Sequence, residues 1–141
     1  MERTLAIIKP DAVKKNVIGE IIAMITKAGF KILGLKMLKI TPQQAGKFYE
    51  VHKERPFYQE LIDYMISGPI VTIALEKENA IEDYRKLIGS TDPQQAEEGT
   101  VRKLYGESKS FNAVHGSDSV ENGLKEIAFF FSESEIVNNR F

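Results

Sequence analysis

One histidine stands where chemistry is plausible. His115 lies in Asn112-Ala113-Val114-His115-Gly116-Ser117-Asp118-Ser119, after the polar run Gly106 to Ser110 and ahead of a helix-like segment that begins near Ser119. Glycine directly after a functional group frees the backbone and lets a ligand come close. The spacing predicts that His115 sits just before a helix N-terminus, whose free N–H groups and positive dipole end suit an anion. An imidazole with an unperturbed pKa of ~6.5 is mostly neutral at neutral pH and is then nucleophilic. Such a group in such a place could accept a phosphoryl group. A lone loop histidine is also, more often, an idle surface side chain, so its weight depends on the rest of the chain.

Three further residues suit the same chemistry. Lys9 ends the apolar run Thr4 to Lys9 and is either a snorkelling surface cation or one aimed into a site at the sheet end. Phe57, after Arg55-Pro56, marks the tip of a helical hairpin and offers a face on which a base could stack. Arg85 lies beside an apolar helix stripe near that helix's C-terminal end, where dipole compensation alone would explain it. His52 reads as a packing residue of the hairpin.

The elements that must position these residues follow from periodicity. Thr4 to Lys9 is a buried strand ended by Pro10. Ile18, Ile21, Ile22 and Ile25 form one helix stripe over Ile18 to Ala28, closed by Gly29. Lys31 to Ile40 alternates as a strand, with Leu33, Leu35 and Met37 assigned to one face. Thr41-Pro42-Gln43-Gln44 is a capping box, and its helix presents Ala45, Phe48, Tyr49 and His52 on one side before Pro56. A second helix runs from about Phe57 to Ile66. Ile70 to Leu75 is a strand, Asn79 caps a helix that Gly89 ends, and Gly89 to Gly99 is a polar loop. A helical turn covers Thr100 to Tyr105. Ser119 to Ile127 reads as helix and Ala128 to Phe131 as the last strand, while the tail Ser132 to Phe141 has no clear assignment. Without the hairpin and the loop the order is βαββαβ: an α+β, ferredoxin-like, four-stranded antiparallel sheet with two helices on one face. We expect the whole chain, 1–141, to form one domain.

Composition narrows the function. The chain of 141 residues is 43% hydrophobic and 28% charged, with net charge −1, so no basic field invites nucleic acid or anionic membrane. Cysteine is absent, which removes disulfides, thiolate metal sites and a cysteine nucleophile. No leader or membrane-length apolar run is evident, so the expected location is cytoplasmic. Neither a Gly-x-x-x-x-Gly-Lys loop nor protein-kinase loops occur.

The chain resembles the nucleoside diphosphate kinases from about residue 3 to 131. Thr4-Leu5-Ala6-Ile7-Ile8-Lys9-Pro10-Asp11-Ala12 resembles their opening. Tyr49, Arg55-Pro56-Phe57, Ser67-Gly68-Pro69, Thr91-Asp92-Pro93 and Gly99-Thr100-Val101-Arg102 follow in family order, and the His115 stretch is similar to the active-site signature. The resemblance implies transfer of the terminal phosphoryl group of a nucleoside triphosphate, typically ATP, to a nucleoside diphosphate, by a ping-pong route through phosphohistidine. It implies His115 as the nucleophile and Glu126 as the acid holding its ring. It implies Lys9, Tyr49, Arg85, Thr91, Arg102 and Asn112 on phosphate and sugar, and Phe57 on the base. Gly116, Ser117 and Asp118 support the histidine. Mg²⁺ is expected to ride on the nucleotide phosphates rather than on protein ligands. A homo-oligomer is expected, hexamer or tetramer, built from a common dimer. Two positions depart from the pattern: Glu98 stands where a proline is common, and Phe111 where arginine is common. The same fold also serves RNA-binding modules, but their sheet-face aromatics are missing here. A non-catalytic relative is disfavoured by the intact His115, Lys9, Arg102 and Glu126.

Overall fold

A computed structural model describes residues 1–138. The strands are β1 (Glu2–Ile8), β2 (Lys31–Leu38), β3 (Ile70–Lys77) and β4 (Val114–Gly116). The helices are α1 (Pro10–Lys14), α2 (Ile18–Lys27), α3 (Pro42–Phe48), α4 (Tyr58–Met65), α5 (Ala80–Ile88), α6 (Val101–Tyr105) and α7 (Val120–Phe130). The strands form one antiparallel sheet in the order β2-β3-β1-β4. This is the expected ferredoxin-like α+β architecture with a helical hairpin inserted after β2.

Alternation along β1 splits the core. Ala6 and Ile8 face α2 and α5, where Ile21, Ile25, Tyr84 and Ile88 are buried. Leu5 and Ile7 face the other way, onto Ile62, Met65, Ile127 and Phe130 of α4 and α7. Side chains of successive strand residues point to opposite faces, so both sides of a central strand must be apolar. Helices therefore cover both faces: α2 and α5 on one, as expected, with α7 and the hairpin on the other.

Most helix ends carry the caps that the sequence predicts. Thr41 accepts from the Gln44 N–H while the Gln44 side chain accepts from the Thr41 N–H, the reciprocal cap that the sequence spells. Gly29 follows the end of α2 at φ 93°, a left-handed position that favours glycine. Asn79 is a correction: its amide bonds the Glu82 carboxylate instead of an N–H of α5.

Three larger corrections follow. Ala128 to Phe131 is not the fourth strand; α7 continues to Phe130, burying Ile127 and Phe130 on one side. A short apolar run fits a strand and a buried helix end equally well. The fourth strand is instead Val114–Gly116, so His115 lies within a strand, paired with Ile7, and the helix cap Ser119 comes four residues later. Leu33 does not share a face with Leu35 and Met37. The β2–β3 register slips between Ile32 and Gly34, leaving Leu33 as the extra residue of a bulge. Leu33 is buried with Ile127 and Phe130, whereas Leu35 and Met37 are 50% and 56% exposed on the sheet edge. The bulged Leu33 carbonyl accepts from the Val137 N–H, which ties the tail to β2. The end of the tail, 139–141, lies outside the described residues.

Candidate active site

Register brings the histidine and its partner together. His115 opposes Ile7, so both side chains lie on the sheet face that α7 covers. Gly123 lets α7 approach β1 closely: a Cβ there would sit 2.4 Å from the Arg3 carbonyl oxygen. Three residues further along α7, Glu126 places Oε1 2.8 Å from His115 Nε2. The same oxygen accepts from the Ser117 hydroxyl at 2.7 Å, and that hydroxyl accepts from the Leu5 N–H at 3.0 Å. The Leu5 bond turns the Ser117 proton toward Glu126, so both neighbours donate to one carboxylate. His115 is thereby the tautomer with its proton on Nε2 and a lone pair on Nδ1. Nδ1 has no hydrogen-bond partner among the described residues. The Phe48 ring meets the imidazole edge-on at 5.7 Å.

Gly116 and Asp118 support the loop differently. A Cβ on Gly116 would lie 2.7 Å from the Tyr84 ring, so glycine lets β4 seat over α5. Asp118 accepts from the Asn122 side chain at 2.6 Å, beside the Ser119 cap of α7.

The cations converge on the loop before His115. Lys9 lies just beyond β1, and its ammonium donates to Asn112 Oδ1 at 3.0 Å. Burial, with Arg102 nearby, pulls its pKa down to about 8, and Asp11 opposes that fall. Asn112 is buried and donates to the carbonyls of Thr91 and Lys109 at 3.3 and 3.1 Å. Thr91, at the surface, is thus joined to the site by its backbone. Arg102 is buried, with Nη1 on the Gly89 carbonyl and Nη2 on the Val114 carbonyl, both at 2.9 Å. Its Nε has no partner among the described residues. Burial lowers the Arg102 pKa, Tyr84 opposes that fall and Arg85 adds to it. Arg85 itself is exposed on α5. Arg102 lowers the Lys9 pKa and Arg85 lowers that of Arg102, so an anion placed among them would be stabilised.

Two aromatics complete the picture. The Tyr49 hydroxyl is buried without a partner among the described residues; burial, then Glu126, push its pKa up, so it stays a proton donor. Phe57 is 45% exposed beside the start of α4, and His52 packs against it with ring centroids 5.7 Å apart. His52 is a packing residue, as expected, but its packing partner is the candidate stacking ring.

Sequence reasoning missed Asp11, Tyr64 and Phe48. Asp11 accepts from the Tyr64 hydroxyl and, at 3.0 Å, from the Ala113 N–H. Asp11 lies in a segment already marked by Lys9 and Pro10, which was the available signal. Nothing in the sequence marks Ala113, a non-glycine at φ 75°.

An imidazole bound to a carboxylate through one nitrogen, next to a loop that buried Lys9 and Arg102 hold, has the makings of a phosphoryl-transfer site. The comparisons agree. The family described as "Nucleoside diphosphate kinase" matches residues 2–136. The chain belongs to this family. It is 60% identical over 139 residues to a nucleoside diphosphate kinase of Chloroherpeton thalassium, covering 99% of each. A Chlorobium limicola relative of the same description is 58% identical over 137 residues, covering 97% of this chain and 98% of the relative. Among solved structures, an Aquifex aeolicus nucleoside diphosphate kinase superposes with a TM-score of 0.95 at 48% identity, covering 96% and 99% of the two chains. A Halobacterium salinarum nucleoside diphosphate kinase, solved in complex with CDP, gives 0.93 at 36% identity, covering 97% and 91%. Phosphoryl transfer between nucleotides is the activity of this family and of this chain. Enzymes of the family typically use a divalent cation. No helix among the described residues is long and apolar enough to cross a membrane.

Proposed function

We propose that His115 Nδ1 takes the terminal phosphoryl group of a nucleoside triphosphate, typically ATP, and passes it to a nucleoside diphosphate in the same pocket. The observation that carries this reading is the 2.8 Å bond between His115 Nε2 and Glu126, which leaves the Nδ1 lone pair unengaged. In the first half-reaction that lone pair bonds to the γ-phosphorus. The bond from phosphorus to the β–γ bridging oxygen breaks, and its electrons leave with the nucleoside diphosphate. In the second half, a β-phosphate oxygen of a new diphosphate attacks phosphorus, and the P–N electrons return to Nδ1. The proton stays on Nε2 throughout, and the Glu126 carboxylate offsets the positive ring. Donor and acceptor use one site in turn, which yields ping-pong kinetics.

Lys9, Arg85 and Arg102 supply charge for the phosphates, with bidentate forks available from the arginines. Tyr49, Thr91 and Asn112 contribute uncharged hydrogen bonds to phosphate or sugar. Phe57 offers its face to the base, and stacking accepts any π face. The CDP in the Halobacterium relative is consistent with a diphosphate and a pyrimidine base in such a pocket. The divalent cation is read as Mg²⁺. Among the described residues no group of three or more His, Cys, Asp or Glu could cage a metal, and the cationic lining suits phosphates that bring the ion with them. When bound, the ion adds positive charge to the transferring group.

The chain is read as one domain acting in the cytoplasm, where nucleotide pools turn over. The edge strand β2 exposes Leu35 and Met37, an apolar pair suited to a two-fold contact with a second copy. Leu33, buried in its own core, takes no part. Hexamer and tetramer are both assemblies of such dimers.

Incubation with γ-labelled ATP tests the reading. Wild type should acquire an acid-labile, base-stable label that excess nucleoside diphosphate removes, and His115→Asn should acquire none. Label retained in His115→Asn would overturn it.

A further inference from the structure

We propose that Asp11, braced by Tyr64 and Phe111, is a positioning residue that holds a strained backbone turn at Ala113 and so sets where Asn112 and His115 stand relative to each other. Ala113 is buried and sits at φ 75°, a left-handed conformation that residues with a Cβ rarely adopt. The Val114 N–H donates to the Asn112 carbonyl at 2.9 Å, closing a γ-turn of the rare, strained kind around Ala113. Strained conformations persist only where the surroundings over-determine them. Here both peptide groups of Ala113 are held by one short segment. Its N–H donates to Asp11 Oδ2 at 3.0 Å, and its carbonyl accepts from the Lys9 N–H at 2.8 Å. Lys9 also reaches Asn112 through its ammonium.

The second Asp11 oxygen accepts from the Tyr64 hydroxyl, so the carboxylate bridges α4 and the loop before β4. Phe111 packs edge-on against Tyr64 with centroids 4.9 Å apart. Phe111 directly precedes Asn112, so the loop is pinned to α4 twice: through Asp11 by hydrogen bonds and through Phe111 by packing. In this chain position 111, where arginine is common in the family, makes that contact with an aromatic ring. Relaxing Ala113 to negative φ would break the γ-turn bond and swing Asn112 away from the strand that carries His115.

The inference rests on His115 as the phosphoryl acceptor, and the test separates the two. The readout is the single-turnover rate of His115 phosphorylation by ATP. Asp11→Ala should slow it by ~10- to 100-fold, the scale expected for a small misplacement of reacting groups. Asp11→Asn, which can still accept from the Ala113 N–H and donate to Tyr64, should recover most of the rate. Ala113→Gly should cost little alone, because glycine enters the left-handed region freely, and should rescue Asp11→Ala. Tyr64→Phe and Phe111→Ala remove one brace each and should slow transfer by roughly 3- to 10-fold, again erased by Ala113→Gly; they decide the matter if Asp11→Ala does not fold. Wild-type rates in all of these variants, or an Asp11→Ala or Tyr64→Phe loss that persists undiminished with Ala113→Gly, would overturn the proposal. A wild-type enzyme unlabelled at His115 would instead overturn the reading of the site itself.

Discussion

Lys9 gives the most direct physical test, because its charge state is set against its surroundings. Burial and Arg102 bring its pKa from 10.5 to about 8 in the free protein, while Asp11 alone among the named causes favours the cation. The Tyr64 ring, 6.0 Å from the ammonium, and Asn112 are its other near neighbours. A bound triphosphate adds several negative charges and should return the pKa toward its ordinary value. If it returns fully, binding takes up ~0.1 proton at pH 7 and ~0.9 at pH 9, from simple titration between the two values. The terminal phosphate is fully ionised at pH 9, so that uptake belongs to the protein. Calorimetric titration of a non-hydrolysable ATP analogue in buffers of different ionisation enthalpy measures it directly. Lys9→Gln should abolish the rise. The same shift destabilises the free protein. The unfolded chain binds more protons between pH 8 and 10.5, so stability should increase with pH across that window, by up to about 3 kcal/mol. Uptake that stays flat from pH 7 to 9, or persists in Lys9→Gln, would refute the assignment of Lys9 to the phosphates.

Three other outcomes can be checked in parallel. Glu126→Gln should slow histidine phosphorylation by ~10²-fold without unfolding the chain, since the ring loses its orienting carboxylate; an unchanged single-turnover rate excludes the role. Phe57→Ala should weaken binding of purine and pyrimidine nucleotides alike, by roughly 1–3 kcal/mol, and a loss confined to one base in competitive titrations would mean that Phe57 is no general platform. Leu35→Glu with Met37→Glu should dissociate the assembly in sedimentation, while Glu98→Pro should tighten a hexamer by restoring a fixed φ and removing a carboxylate beside Glu97; an assembly indifferent to both changes is built on other surfaces.

Part of the candidate site could be read from the residues themselves, because they carry their chemistry in their own side chains, and the rest only from the family resemblance. His115 and Lys9 stand out by their settings, whereas the roles of Arg102 and Asn112 are implied only by the family resemblance; the structure gathers all four around one loop. What could not be read is what depends on pairing across the chain. That His115 sits on a strand follows from its register with Ile7, and three residues of strand carry too little pattern to be recognised. The apolar end of α7 misled for the same reason. The bulge at Leu33 is invisible to alternation, yet it decides which side chains of β2 belong to the core and which stay exposed on the edge.

The arrangement of strain and order explains why these long-range pairings matter. Glu126 arrives from α7, Asp11 from α1 and Tyr64 from α4, and none is within ten residues of His115 in sequence. Each acts on a short segment, Asn112 to Ser117, that has little structure of its own beyond three strand residues. A loop held this way need not be stable by itself. It borrows its geometry from a closely packed helix at Gly123, a buried carboxylate at Asp11 and a hydroxyl relay at Ser117. The loop can then leave His115 Nδ1 without a partner among the described residues and hold cations close together, both of which cost stability, because the rest of the fold carries that cost.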